Sequence, residues 1–249
     1  MFLAAVALAA LAAPAQAAAQ PAPSAVPAVA PQSLAKARRL VALVNPFDKV
    51  LDANLDGWEG AARKSLALEP GMAALEKNYP GIGAATIAAA RPLARKYLTE
   101  FVKTSAEYKA DLLTRRLTDA ELDEAGGFFD SPAGRKAIAG LFNNADPARI
   151  GADLAVRHSQ TGEAVATEDD VRKVAERAAS GMLAEVSAAD QAAIIGFSQS
   201  PVGKKFTAAT RESDVRILDM ANHPSAEWLE QQGEAMRSAA LAFMKAAKN

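Results

Sequence analysis

Cysteine is absent from all 249 residues. That excludes disulfide cross-links, thiolate metal centres and thiol nucleophiles, so packing alone must hold the fold. Histidine is scarce. His158 and His223 are the only two, and neither belongs to an H-E-x-x-H pair or any other helical ligand spacing. A G-x-S-x-G elbow, a Walker loop and a strand-borne G-x-G-x-x-G are missing as well, and Gly81-Ile-Gly83 has no flanking strand. Alternating β-branched runs of useful length are not found. Neither sign of charge is in excess, with 28 Lys and Arg against 29 Asp and Glu. Nothing in the bulk charge therefore steers the chain to nucleic acid or to an anionic membrane. Aromatic residues make up 6%, and Trp58 and Trp228 fall on apolar helical stripes, where core packing is expected of them.

No Lys or Arg precedes Lys36, so the apolar run at residues 2–13 lacks a positive flank. That run is nevertheless followed by Pro14 and the small-x-small site Ala15-Gln16-Ala17, the h-region and cleavage site of a secretory signal peptide at 1–17. It is too short to span a bilayer comfortably, and with no cysteine behind it a lipoprotein anchor is excluded. Residues 18–32 are Ala-rich with Pro21, Pro23, Pro27 and Pro31, a composition that favours extended chain over a packed core and predicts a linker. The folded domain is expected over 33–249, in the periplasm of a Gram-negative bacterium or secreted from it. No stable membrane insertion is expected after cleavage.

What is abundant is helical signal. Ser33 is placed to cap a first helix with Leu40, Leu43 and Val44 that stops before Pro46. Phe47, Val50, Leu51, Leu55 and Trp58 form an i, i+3, i+4 ladder. Pro70-Gly71 and Tyr79-Pro80-Gly81 bracket a short helix, and Ile82 to Arg116 is one long helical region kinked or broken at Pro92. Asn143 to Pro147 breaks the chain again, Thr167-x-x-Asp170 opens a helix to about Glu185, and Pro224 to Lys248 forms a terminal helix with Trp228, Leu229, Met236, Leu241 and Phe243. The fold class is all-α, a multi-helix bundle. The abundance of alanine needs no packing code beyond compositional bias.

One phrase occurs twice. Residues 128–136 are F-F-D-S-P-A-G-R-K and residues 197–205 are F-S-Q-S-P-V-G-K-K, offset by 69 from Ser131 to Ser200. A gap-free register pairs Leu117–Lys136 with Val186–Lys205 and fades beyond, where Ile138, Leu141 and Phe142 face Thr207, Thr210 and Arg211. A repeat at fixed offset predicts a duplicated unit, about 95–155 and 165–220. Thr118-x-x-Glu121 is a capping box and Ser187-x-x-Asp190 a weaker one. Ser131 and Ser200 suit N-cap positions ahead of Pro132 and Pro201 at the first helical residue. Each predicted unit is a capping box, a helix, a sharp corner and a second helix, and the bundle is built from two such related helix-corner-helix units. The basic pairs Arg135/Lys136 and Lys204/Lys205 lie in first turns, where the helix dipole disfavours cations. They are the candidate site, either folded back onto the preceding helix or contacting an anion or partner.

The run Leu117-Thr-Asp-Ala-Glu-Leu followed by Phe128-Phe-Asp-Ser-Pro-Ala-Gly-Arg-Lys resembles the bacterial secreted family catalogued as domain of unknown function 2059. Phe129 stands where that family usually has Tyr, and Gly126-Gly127 is unusual inside its helix. The resemblance implies a small exported helical fold and brings no catalytic residues with it.

Acidic clusters at Asp119/Glu121/Asp123/Glu124 and Glu168/Asp169/Asp170 begin predicted helices, where they favour the dipole. No cofactor or metal is expected. The function expected is a non-catalytic periplasmic module that binds a protein or envelope component. The alternatives are a carrier for apolar ligands in a groove between helices and a carboxylate-dependent hydrolase using Glu121 or His158.

Overall fold

The computed structural model describes residues 31–161 and 165–247. Residues 1–30, where the signal peptide and nearly all of the linker are expected, lie outside the described residues. Eleven helices follow one another with no strand among the described residues: α1 (Pro31–Val44), α2 (Phe47–Leu68), α3 (Pro70–Asn78), α4 (Ile82–Arg116), α5 (Asp119–Asp130), α6 (Pro132–Asn143), α7 (Pro147–Thr161), α8 (Glu168–Glu185), α9 (Ala188–Gln199), α10 (Pro201–Asn222) and α11 (Ala226–Ala246). None is long and apolar enough to cross a membrane.

The local start and stop chemistry explains the boundaries. Pro46, Pro70, Pro132, Pro147 and Pro201 sit at or next to helix starts, where a missing N–H costs nothing. Thr118 caps α5 and Thr167 caps α8 in full capping boxes, while Ser131, Ser187, Ser200 and Ser225 cap α6, α9, α10 and α11. Ser33 behaves otherwise. α1 has already begun at Pro31, and the Ser33 hydroxyl donates to Asp119 Oδ1 at 2.6 Å, tying α1 to the start of α5. The last two linker positions therefore belong to the bundle.

Pro92 does not break its helix. α4 runs unbroken for 35 residues through Pro92, although a mid-helix proline removes one hydrogen bond and crowds the preceding turn. The compensation is packing, since α4 contacts α1, α2, α10 and α11 along its length. It is the spine of the bundle.

The main core gathers Leu40 and Val44 of α1, Leu113 of α4, Leu122 and Phe129 of α5, Leu141 of α6, Met182 of α8, Ile194 and Phe197 of α9, and Phe206 of α10. Phe129 is 1% exposed, and full burial of such a ring contributes about 1.5–3 kcal/mol. Trp58 is half-buried and packs against a second, smaller core of Leu51, Leu55 and Ala94. One expectation for the core fails: α11 has no fully buried residue, with Trp228 half-buried and Leu229 and Leu241 exposed. α11 lies on the outside of α4, where Trp228 stacks on Tyr97 with ring centres 4.5 Å apart.

Small residues do specify one contact, contrary to expectation. α2 and α7 touch backbone to backbone. A Cβ on Gly60 would stand 2.0 Å from the Ala148 carbonyl oxygen, and one on Gly151 would stand 1.9 Å from that of Gly57. No other side chain fits there.

Candidate functional site

The two corners meet. Thr118 Oγ1 accepts from the Glu121 N–H at 3.3 Å, and the Glu121 carboxylate accepts from the Thr118 N–H at 2.8 Å. Ser131 Oγ accepts from Gly134 N–H at 3.1 Å, and Ser200 Oγ from Gly203 N–H at 3.0 Å. Both glycines lie against the preceding helix, since a Cβ would fall 2.1 Å from the Phe128 oxygen in one corner and 1.9 Å from the Phe197 oxygen in the other. Phe128 stacks on Phe197, with ring centres 4.1 Å apart and planes 5° from parallel.

The candidate cations take part in this contact. Lys136 Nζ donates to Asp190 Oδ2 at 2.7 Å, and Lys205 Nζ donates to Glu121 Oε1 at 2.5 Å. Each corner's lysine thus holds the capping acid of the other, the reciprocity of an isologous contact. The Lys205 ammonium, then the Thr118 N–H, hold the Glu121 carboxyl below its usual range. Lys136, then the Ser187 hydroxyl, do the same for Asp190. Arg135 folds back to Asp130, the last residue of α5, at 3.1 Å. The Lys204 side chain is exposed and makes no hydrogen bond or ion pair among the described residues. Glu121 is thus engaged on three sides, and His158 is exposed on the last turn of α7, so neither stands in a shared cleft. His223 ends α10, with its Nδ1 2.8 Å from the Asp219 oxygen.

The arrangement with chemical potential lies elsewhere, in a cavity of about 180 Å³ between α1, α2, α4 and α10. Its walls are Val41, Val50, Phe101, Val102, Ala106 and Ile217, and its outer edge carries the exposed Arg38 and Glu107, joined by a bidentate ion pair. Its inner end is charged. Lys109 and Asp214 are each 4% exposed, and Lys109 Nζ donates to Asp214 Oδ1 at 3.0 Å. The Asn45 amide, oriented with its oxygen toward the ammonium, accepts from Lys109 at 3.3 Å.

This cluster is not fully satisfied. Among the described residues no group donates to Asp214 Oδ2, and the buried Ser105 hydroxyl has no partner either. Both residues line the cavity. Thr207 and Thr210, buried two turns and one turn before Asp214 on α10, also have unpartnered hydroxyls among the described residues. Burial pushes the Asp214 carboxyl up, and the Lys109 charge opposes that shift. A buried oxygen without a donor costs of order 1–3 kcal/mol, more if charged, so its retention calls for a cause. Among the described residues no group of three or more His, Asp or Glu side chains could hold a metal ion.

The motif-led view missed Lys109, Asp214, Ser105 and Asn45. Two signals were present. Lys109 lies on the apolar stripe Val102, Ala106, Ala110, Leu113, and Asp214 on Thr210, Ile217, Leu218, so each puts a charge where periodicity demands burial. The second signal is the break in the repeat, because Thr207 and Thr210 replace Ile138 and Leu141 at buried positions leading to Asp214.

The fold and the cavity together define an all-helical protein with a buried ion pair at the end of a small apolar pocket. No family model, curated protein or solved structure matches the chain.

Proposed function

We propose that this chain is an exported, non-catalytic helical binding module whose ligand is a small, largely apolar molecule held in the cavity at Lys109 and Asp214. One observation carries this proposal: Asp214, whose buried Oδ2 has no donor among the described residues, lines a cavity of about 180 Å³ with apolar walls. Ligand sites combine apolar walls with a few placed polar groups, and they form readily between helices of a bundle. Binding is favoured over hydrolysis because the carboxylate at the pocket is held by Lys109, and the acid at the first corner by its cap and by Lys205. The paired corners serve as related structural units that lock the bundle around the pocket. Export rests on residues 2–17 and on the resemblance of residues 117–136 to a secreted family.

The test is a titration of the full chain with toluene, anisole and phenol, followed through backbone amide shifts. Saturable shifts confined to α1, α2, α4 and α10 are expected, and they vanish in Ala106→Phe, which fills the cavity while leaving Lys109 and Asp214 themselves unchanged. If no probe shifts these helices, or if Ala106→Phe leaves the shifts intact, the cavity is not a binding site.

A further inference from the structure

We infer that the cavity selects an uncharged ligand carrying one hydrogen-bond donor on a small apolar body, such as a phenol or a short alcohol, which donates to Asp214 Oδ2. The inference rests on the proposed binding role and adds the chemistry of the ligand.

Size sets the body. An apolar cavity of about 150 Å³ is enough to hold benzene, so about 180 Å³ admits a single six-membered ring with one polar substituent. Larger amphiphiles would have to project past the rim at Arg38 and Glu107.

Charge sets the head. The carboxylate of Asp214 is already neutralised by Lys109 at 3.0 Å, and the rim pair Arg38–Glu107 is neutral as well. An ammonium ligand would satisfy Oδ2 but leave one uncompensated positive charge in a region where burial of unpaired charge is strongly unfavourable. A carboxylate ligand would face Oδ2 with like charge. A neutral O–H or N–H supplies the missing donor and changes no net charge. The Ser105 hydroxyl, unpartnered in the same cavity, can donate to the oxygen of a ligand hydroxyl, so a group that both donates and accepts satisfies two orphaned atoms together.

The experiment compares phenol with anisole, in which a methyl group replaces the donated proton, and with benzylammonium and benzoate, by calorimetry on the full chain. Phenol is expected to bind at least about tenfold tighter than anisole, the worth of one hydrogen bond to a charged acceptor, with both ions weaker than phenol. Asp214→Asn, its oxygen held toward Lys109, puts an amide NH2 donor where Oδ2 stood and should abolish the preference for phenol over anisole. Ser105→Ala leaves the ion pair in place, so it remains informative if Asp214→Asn does not fold. It should weaken phenol while leaving toluene, which has no oxygen to accept from Ser105, unchanged. Equal affinity for phenol and anisole, or tighter binding of benzylammonium, overturns the inference while leaving the cavity as a site. Failure of all four probes and of toluene overturns the binding role itself.

Discussion

Replacing Lys109 by Met tests whether the Lys109–Asp214 pair is desolvated as the structure shows. Both side chains are 5% exposed, and the ion pair spans 105 residues of chain, joining α4 to α10. Removing one partner of such a pair strands the other charge, at a cost of about 3–5 kcal/mol. For a domain of this size that lowers Tm by roughly 6–20 °C. Replacing both, Lys109→Met with Asp214→Leu, removes the stranded charge and should restore or raise stability, by about 1–4 kcal/mol in comparable cases. The pH dependence has a definite sign. Asp214 is already raised above its ordinary value of 3.8 by burial, and loss of Lys109 raises it further. A group that holds its proton more tightly when folded stabilises the fold at low pH and loses that contribution as pH rises through its folded value. The deficit of Lys109→Met should therefore be smallest in acid and grow toward neutral pH. Urea melts followed by far-ultraviolet circular dichroism across that range measure both effects. A cost under about 1 kcal/mol, the level of an exposed pair, or a deficit that does not change with pH, refutes the account of a dry ion pair.

Three further outcomes follow from other parts of the structure. Gly60→Ala places a methyl group 2.0 Å from the Ala148 oxygen and should cost at least about 1–3 kcal/mol through overpacking. Gly126→Ala meets nothing within 4 Å inside α5 and should gain about 1 kcal/mol from helix propensity, so thermal melts of the two should move in opposite directions. Thr118→Ala should cost about 1 kcal/mol through the lost cap. Glu121→Gln, which keeps a capping-box side chain but loses the Lys205 ion pair, should lower Tm by less in the same melts. N-terminal sequencing of protein recovered from the periplasm should begin at Ala18, whereas an intact Met1 would refute export by cleavage.

The corners were legible because their causes are local. Thr118, Ser131, Ser187 and Ser200 act on backbone groups three residues away, and Pro132 and Pro201 restrict their own and the preceding residue, so spacing alone revealed them. The fates of Lys136 and Lys205 were not, because their acids lie 54 and 84 residues away. Pro92 illustrates tertiary override, since contacts with four other helices hold α4 together against a local penalty. Ser33 was misjudged because a competing acceptor, Asp119, arrives from a helix more than eighty residues on. Lys109 and Asp214 were visible as charges on apolar stripes, but only the fold could bring them together.

The stack of Phe128 on Phe197 also bears on the order in which this protein can assemble. A chain that emerges N-terminus first presents Phe128, Glu121 and the first corner's cap well before Phe197 and Lys205 exist to meet them. At synthesis rates of about 5–20 residues per second, the offset of 69 residues corresponds to several seconds. During that interval Phe128 has no Phe197 ring to stack on. Closure waits for the second corner, so the stack cannot form before residue 197 has emerged.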